Sequence, residues 1–137
     1  MSGLTGIIET AVQVRDLNAA IDFYRRVLGL QVIGSDERFC ALSVAGRDVL
    51  LLFVQGASSS PVDLPGGRIP AHESQGSSHL AFSLDPDHLS EWQHRLKQNG
   101  VEIESRVEWE RGGTSLYFRD PDGHLLELAT PGIWSVY

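Results

Sequence analysis

Apolar and polar residues alternate strictly over residues 7–14, so Thr10, Val12 and Val14 share one face of a strand and Glu9, Ala11 and Gln13 the other. Asp16 then precedes Leu17, Ala20, Ile21, Tyr24, Val27 and Leu28, an apolar stripe at helical spacing, and is placed to cap a helix lying on a sheet. Gly29 ends that helix where a left-handed residue is wanted. Strand-like runs follow at residues 30–33, 39–44 and 49–54, the last two joined across Ala45-Gly46-Arg47-Asp48. The order is β-α-β-β-β.

The same order returns from Ser78. His79, Ala81 and Ser83 share one strand face, with Leu80, Phe82 and Leu84 on the other. Asp85-Pro86 is a cap followed by proline at the first helical position; Leu89, Trp92 and Leu96 form the stripe, and Asn99-Gly100 the end. Strands are expected at residues 101–104, 114–118 and 125–130. Glu9 falls on His79 and Gly29 on Gly100, so the chain reads as an internal repeat. Asp120-Pro121-Asp122-Gly123 is a reverse-turn sequence that delivers the last strand, on which Glu127 faces away from Leu126 and Leu128.

The expected architecture is therefore α+β: two βαβββ modules, at about residues 5–55 and about 78–131, forming a curved mixed-sheet cleft with the helices outside. Together they make a single domain. The connecting loop, about 56–77, is rich in Ser, Gly and Pro, yet Arg68-Ile69-Pro70-Ala71-His72 at its centre is too specific for a passive spacer. It is expected to fold toward the sheet.

Composition narrows the function classes. With 42% hydrophobic and 21% charged residues, the chain is that of an ordinary globule. A net charge of −7 argues against a nucleic-acid backbone as partner. No basic region followed by an apolar core opens the chain, and the longest apolar run, residues 49–54, is far short of a membrane span, so no membrane partner and a cytoplasmic location are expected. A lone cysteine, Cys40, rules out an intrachain disulfide and reads as a small apolar filler rather than a catalytic thiol.

Candidate chemistry comes from alternation. The faces opposite the helices carry Glu9, Ala11 and Gln13; His79, Ala81 and Ser83; and Leu125, Glu127 and Ala129. Small residues leave room for a ligand. Two carboxylates brought close repel unless a cation sits between them, and carboxylate and imidazole are standard metal ligands. Glu9, His79 and Glu127 are the candidate metal site. The alternatives are an arginine beside Glu127, with Arg38, Arg111 and Arg119 available, or ordinary solvated charges. Arg111, ahead of Gly112-Gly113, reads as a cation on a flexible approach; Ser115 and Tyr117 share a strand face and offer hydroxyls, and Trp109 is either a core residue or part of an aromatic groove. His72 is a candidate acid, base or extra ligand from the loop, against the plainer reading of a surface histidine.

The repeated β-α-β-β-β pattern, Val14-Arg15-Asp16-Leu17, Phe23-Tyr24-Arg25-Arg26-Val27-Leu28-Gly29-Leu30, and Tyr117-Phe118-Arg119-Asp120-Pro121-Asp122-Gly123 with Glu127 resemble the vicinal oxygen chelate superfamily. That group includes glyoxalase I, extradiol dioxygenases, methylmalonyl-CoA epimerase, and the fosfomycin- and bleomycin-resistance proteins. The resemblance covers nearly the whole chain. It implies a divalent metal held by Glu9, His79 and Glu127, acting as a Lewis acid on a small substrate with vicinal oxygens, and a homodimer as the common assembly. Glutamate at position 9 replaces the usual His or Gln, which favours Mn²⁺ or Fe²⁺, with Mg²⁺, Zn²⁺ or Ni²⁺ as alternatives. The repeat places Leu50 where glyoxalase I has a fourth ligand, which leaves open metal positions as in dioxygenases and fosfomycin-resistance enzymes. Candidate catalytic residues are Glu127, His72, Arg111 and Tyr117, for lyase, isomerase or dioxygenase chemistry. The competing expectation is a non-catalytic drug-binding protein of the bleomycin-resistance type.

Overall fold

The computed structural model describes residues 3–137. The chain divides into two compact units, one ending at Gly76 and the other beginning at Ser77. The class is mixed α+β with two four-stranded mixed sheets.

In the first unit, β1 (Glu9–Val14), α1 (Leu17–Arg26), β2 (Gln31–Ser35), β3 (Phe39–Val44) and β4 (Asp48–Val54) follow the expected order. The sheet runs β1-β4-β3-β2, with β1 parallel to β4 and the other pairs antiparallel. Val12, Val14, Cys40, Leu42, Leu50 and Leu52 are at most 2% exposed, and so are Ala20 and Tyr24 of the helix and Val27 at its C-cap. Each such Val or Leu contributes roughly 1.5–3 kcal/mol by leaving water. Asp16 caps α1 by accepting from the Ala19 amide (3.0 Å), and Gly29 turns the chain out at φ +71°. Burial pushes the Cys40 thiol above its ordinary pKa, as suits a filler and not a nucleophile.

The second unit has β7 (His79–Ser83), a 3₁₀ turn (Pro86–His88), α2 (Leu89–Gln98), β8 (Ser105–Glu108), β9 (Thr114–Arg119) and β10 (Leu125–Ala129). Its sheet, β7-β10-β9-β8, repeats the first in order and in direction. Leu116, Phe118, Leu126 and Leu128 form its buried face, and α2 adds the fully buried Leu96.

Three sequence expectations need correction. The strand expected at residues 101–104 lies at Ser105–Glu108. Val101 and Ile103 alternate convincingly, but the Val101 amide is donated back to Leu96 O (2.9 Å), and ladder pairing begins only when the Glu104 amide meets Tyr117 O. The strand expected at 30–33 starts one residue later and runs to Ser35, with an irregularity between Val32 and Gly34. The connecting loop contains a small hairpin, β5 (Val62–Leu64) with β6 (Gly67–Ile69), which its Ser, Gly and Pro content concealed.

That loop folds onto its own unit's sheet. The His72 ring meets Phe53 edge-on at 4.7 Å, and its amide donates to Ser58 O. Glu73 accepts from Ser58 Oγ (2.7 Å) and the Gly56 amide (2.6 Å), and these bonds hold its carboxyl below the ordinary carboxylate range. A folded pKa that is depressed contributes stability above the unfolded value, and that contribution is lost as pH falls through the folded one. Acidification below the ordinary carboxylate range is therefore expected to free residues 55–77 ahead of global unfolding. Glu73→Gln should mimic it at neutral pH, read by hydrogen exchange at the Gly56 amide.

Candidate metal centre

Strand β10 is interior to its sheet, and alternation directs Glu127 away from the core leucines, opposite Ala81 and Tyr117. The preceding turn fixes the register. Asp120 Oδ1 accepts from the amides of Asp122 and His124, both at 2.9 Å, and Gly123 closes the turn at φ +82°. His124 is 2% exposed, and its Nδ1 accepts from the Ser78 amide at 2.9 Å, while Leu125 N donates to Ser78 O. This latch sets His79 opposite Leu125. His124 and Asp120 were legible only as turn residues, because nothing local marks a buried imidazole.

The latch brings His79 Nε2 to 3.1 Å from Glu127 Oε1. His79 Nδ1 lies 3.0 Å from the Leu125 carbonyl oxygen, which only accepts, so Nδ1 carries a proton. With Nδ1 committed to Leu125, Nε2 is the ring nitrogen that faces a carboxylate oxygen. Two acceptors at that distance need a proton or a cation between them. Imidazole and carboxylate are both ligands of divalent metals, and this pair would hold an ion between them. The donor set fits a divalent ion. No arginine of the second unit pairs with Glu127 among the described residues, since Arg119 is engaged by Glu104 (2.8 Å) and Arg106 by Glu108 (2.9 Å).

The other carboxylate oxygen is fixed from behind. Trp109 Nε1 donates to Ser115 Oγ (2.9 Å), and Ser115 donates to Glu127 Oε2 (2.5 Å). Burial, then the Glu127 charge, pushes the Tyr117 phenol above its ordinary pKa, which keeps it a hydroxyl donor at neutral pH. His79, Tyr117, Glu127, Trp109, Trp134 and Tyr137 line a cavity of about 400 Å³, with Ala81, Ser83 and Ala129 leaving the space.

The aromatic wall from the C-terminal segment was not foreseen. Tyr137 Oη donates to Ala129 O (2.8 Å) and accepts from Leu84 N (3.1 Å), which straps the segment across β7 and β10. The glycines after Arg111 also have another role than a flexible approach. A Cβ at Gly132 would meet Gly113 N at 2.4 Å, so the pair permits close packing of this segment. Arg111 is exposed in that turn and is not among the residues lining the cavity. Pro131-Gly132 followed by Ile133 and Trp134 was the available signal.

Glu9 and His72 belong to the first unit. Both line a cavity of about 480 Å³ there, with Ala11, Arg38, Phe39, Leu51 and Phe53. The pairing register aligns Leu51 with Ala11 as it aligns Glu127 with Ala81. Leu51, not Leu50, is thus the counterpart of Glu127; Leu50 is 2% exposed in the core. Neither unit, among the described residues, gathers three His, Cys, Asp or Glu side chains. Ser115→Ala should leave both Glu127 Oε2 and the Trp109 indole without their partner, lowering stability by about 1–3 kcal/mol in urea titrations.

The family model of the Glyoxalase/Bleomycin resistance protein/Dioxygenase superfamily matches residues 6–128. A metallothiol transferase FosB from Staphylococcus epidermidis is 30% identical over 93% of this chain and 82% of its own. Among solved structures, lactoylglutathione lyase from Agrobacterium tumefaciens is 32% identical with TM-score 0.88, covering 98% of this chain and 99% of that one. The fosfomycin resistance protein FosX from Listeria monocytogenes is 27% identical with TM-score 0.64, covering 95% and 93%. The motifs of both modules, the two repeated sheets and the full-length match agree, and the chain belongs to the glyoxalase/bleomycin resistance protein/dioxygenase superfamily, with the vicinal oxygen chelate fold.

Proposed function

We propose that this chain is a metal-dependent enzyme acting on a small substrate with two neighbouring oxygens, with Glu9, His79 and Glu127 holding the ion. The observation that carries the reading is the His79 Nε2 to Glu127 Oε1 distance of 3.1 Å, with Nδ1 already committed to Leu125. Two carboxylates and one imidazole favour Mn²⁺ or Fe²⁺, with Mg²⁺, Zn²⁺ and Ni²⁺ also accommodated by the donor types. Bound there, the ion would supply Lewis acidity toward the substrate oxygens. The name lactoylglutathione lyase supports the substrate class, since a lactoyl group carries a carbonyl and a hydroxyl on adjacent carbons.

The chain's own residues bind, orient and move protons. Trp109, Trp134 and Tyr137 offer flat apolar contact to the body of a substrate, and the Tyr117 hydroxyl is available as a donor in the same cavity. Glu127 is the first candidate base: Ser115 holds Oε2, which leaves Oε1 facing the cavity side. Glu9 and His72 are the alternatives from the first unit, and Arg111 is retained only as a cation near the approach. A cytoplasmic homodimer completes the reading, supported by the exposed Leu4, Ile7 and Ile8 ahead of β1 and by the single buried cysteine.

The aromatic lining also favours a second reading, a non-catalytic protein that sequesters a flat ligand. Metal dependence separates the two. Protein purified without chelators or a nickel column should carry stoichiometric divalent metal by elemental analysis. Glu9→Gln, His79→Ala and Glu127→Gln should each cut affinity beyond the roughly 10- to 100-fold cost of losing an outer partner, with far-UV circular dichroism unchanged. Unchanged metal content in His79→Ala and Glu127→Gln would defeat the assignment. Protein that purifies without metal, binds a flat ligand and shows no turnover with any added divalent ion would select the sequestering protein.

A further inference from the structure

We propose that the cavity of the first unit takes a small organic carboxylate, with Arg38 as its anchor. This deepens the reading above, because Glu9 lines the same cavity, but it rests on different atoms. The cavity measures about 480 Å³, the size of a small-molecule site. Its walls are largely apolar: Phe39 and Phe53 stack at 5.6 Å, His72 meets Phe53 edge-on, and Val62, Ile69 and Pro70 of the connecting loop close the side. Such walls suit a flat hydrocarbon body.

Arg38 is the cation among them. Its Nε is buried and has no hydrogen-bond partner among the described residues. Arg26, Arg47, Arg68, Arg106 and Arg119, by contrast, each engage a carboxylate. The backbone of Arg38 is fixed from both sides, its amide donating to Asp36 Oδ1 (2.7 Å) and its carbonyl accepting from Val54 N (2.9 Å). The side chain therefore starts from a rigid point. No carboxylate pairs with the Arg38 guanidinium among the described residues, and a planar acceptor at the edge that lines the cavity would supply that partner. A carboxylate has that geometry. Glu9 lines the cavity too, yet no ion pair joins it to Arg38 among the described residues. In a chain of net charge −7, no diffuse positive field would draw an anion, so the selection is local to one side chain.

The test compares phenylacetate with its neutral isostere phenylacetamide, by calorimetry, on metal-free and metal-loaded protein. The wild type should prefer phenylacetate, and Arg38→Gln should lower its affinity by roughly 10- to 100-fold while leaving phenylacetamide unchanged. Arg38→Lys, which keeps the charge and loses the fork, should fall between, and serves in place of Arg38→Gln should that variant not fold. The preference should already be present in the metal-free protein, so failure of the metal assignment is read separately. Equal binding of the two probes by the wild type, or an undiminished preference in the Arg38 variants, would overturn the proposal.

Discussion

Glu127 is 6% exposed on an interior strand of the second sheet, where a carboxylate keeps little of its water. Moving such a group out of water costs several kcal/mol after relaxation. The hydrogen bond from Ser115 returns about 1.5–3 kcal/mol, as bonds to charged groups do, and does not cover the cost alone. The balance must come from the side where Oε1 meets the His79 ring. Because Nδ1 is spent on the Leu125 carbonyl, whatever joins Nε2 to Oε1 has to be positive. That constraint gives the second unit its chemistry.

Much of the local structure serves that contact. The Asp120 turn, the buried His124 and the Ser78 backbone set the register that puts His79 opposite Leu125. A slip of one residue would exchange the faces and send Glu127 into the leucine core. The two units share strand order and parallel pairing, but diverge in what faces their cavities. Leu51 stands where Glu127 stands, and Glu9 where His79 stands. A duplicated scaffold thus carries two different polar sets. One presents an imidazole–carboxylate pair walled by tryptophan and tyrosine; the other presents a carboxylate and an arginine walled by phenylalanine.

The periodicities made most of this legible. Alternation is visible in the burial of β7, and Glu9 with Ala11, His79 with Ala81, and Glu127 with Ala129 line the cavities of their own units. Both helices were readable from their apolar stripes and from the glycines that end them, which share φ +71°, but Asp85 caps the 3₁₀ turn ahead of α2 and not α2 itself. The edge strand β8 was misplaced because Ser-Arg-Val-Glu pairs on one side only and carries little apolar signal, while Val101 and Ile103 upstream imitate a strand. The fourth-ligand position was assigned one residue off, to Leu50, since a continuous run of Leu50, Leu51 and Leu52 carries no alternation to fix the register. The aromatic wall of Trp134 and Tyr137 and the unpaired Nε of Arg38 depend on contacts distant in sequence. No local pattern announces them.

The claim that a cation joins His79 to Glu127 is tested most directly on the ring itself. Nitrogen-15 NMR of the assigned His79 imidazole, titrated with the diamagnetic ion Zn²⁺, reports each ring nitrogen separately. The account predicts that Nδ1 keeps its proton throughout while Nε2 moves to a metal-bound shift at stoichiometric Zn²⁺. An Nε2 that retains a proton and does not respond to the ion would contradict it.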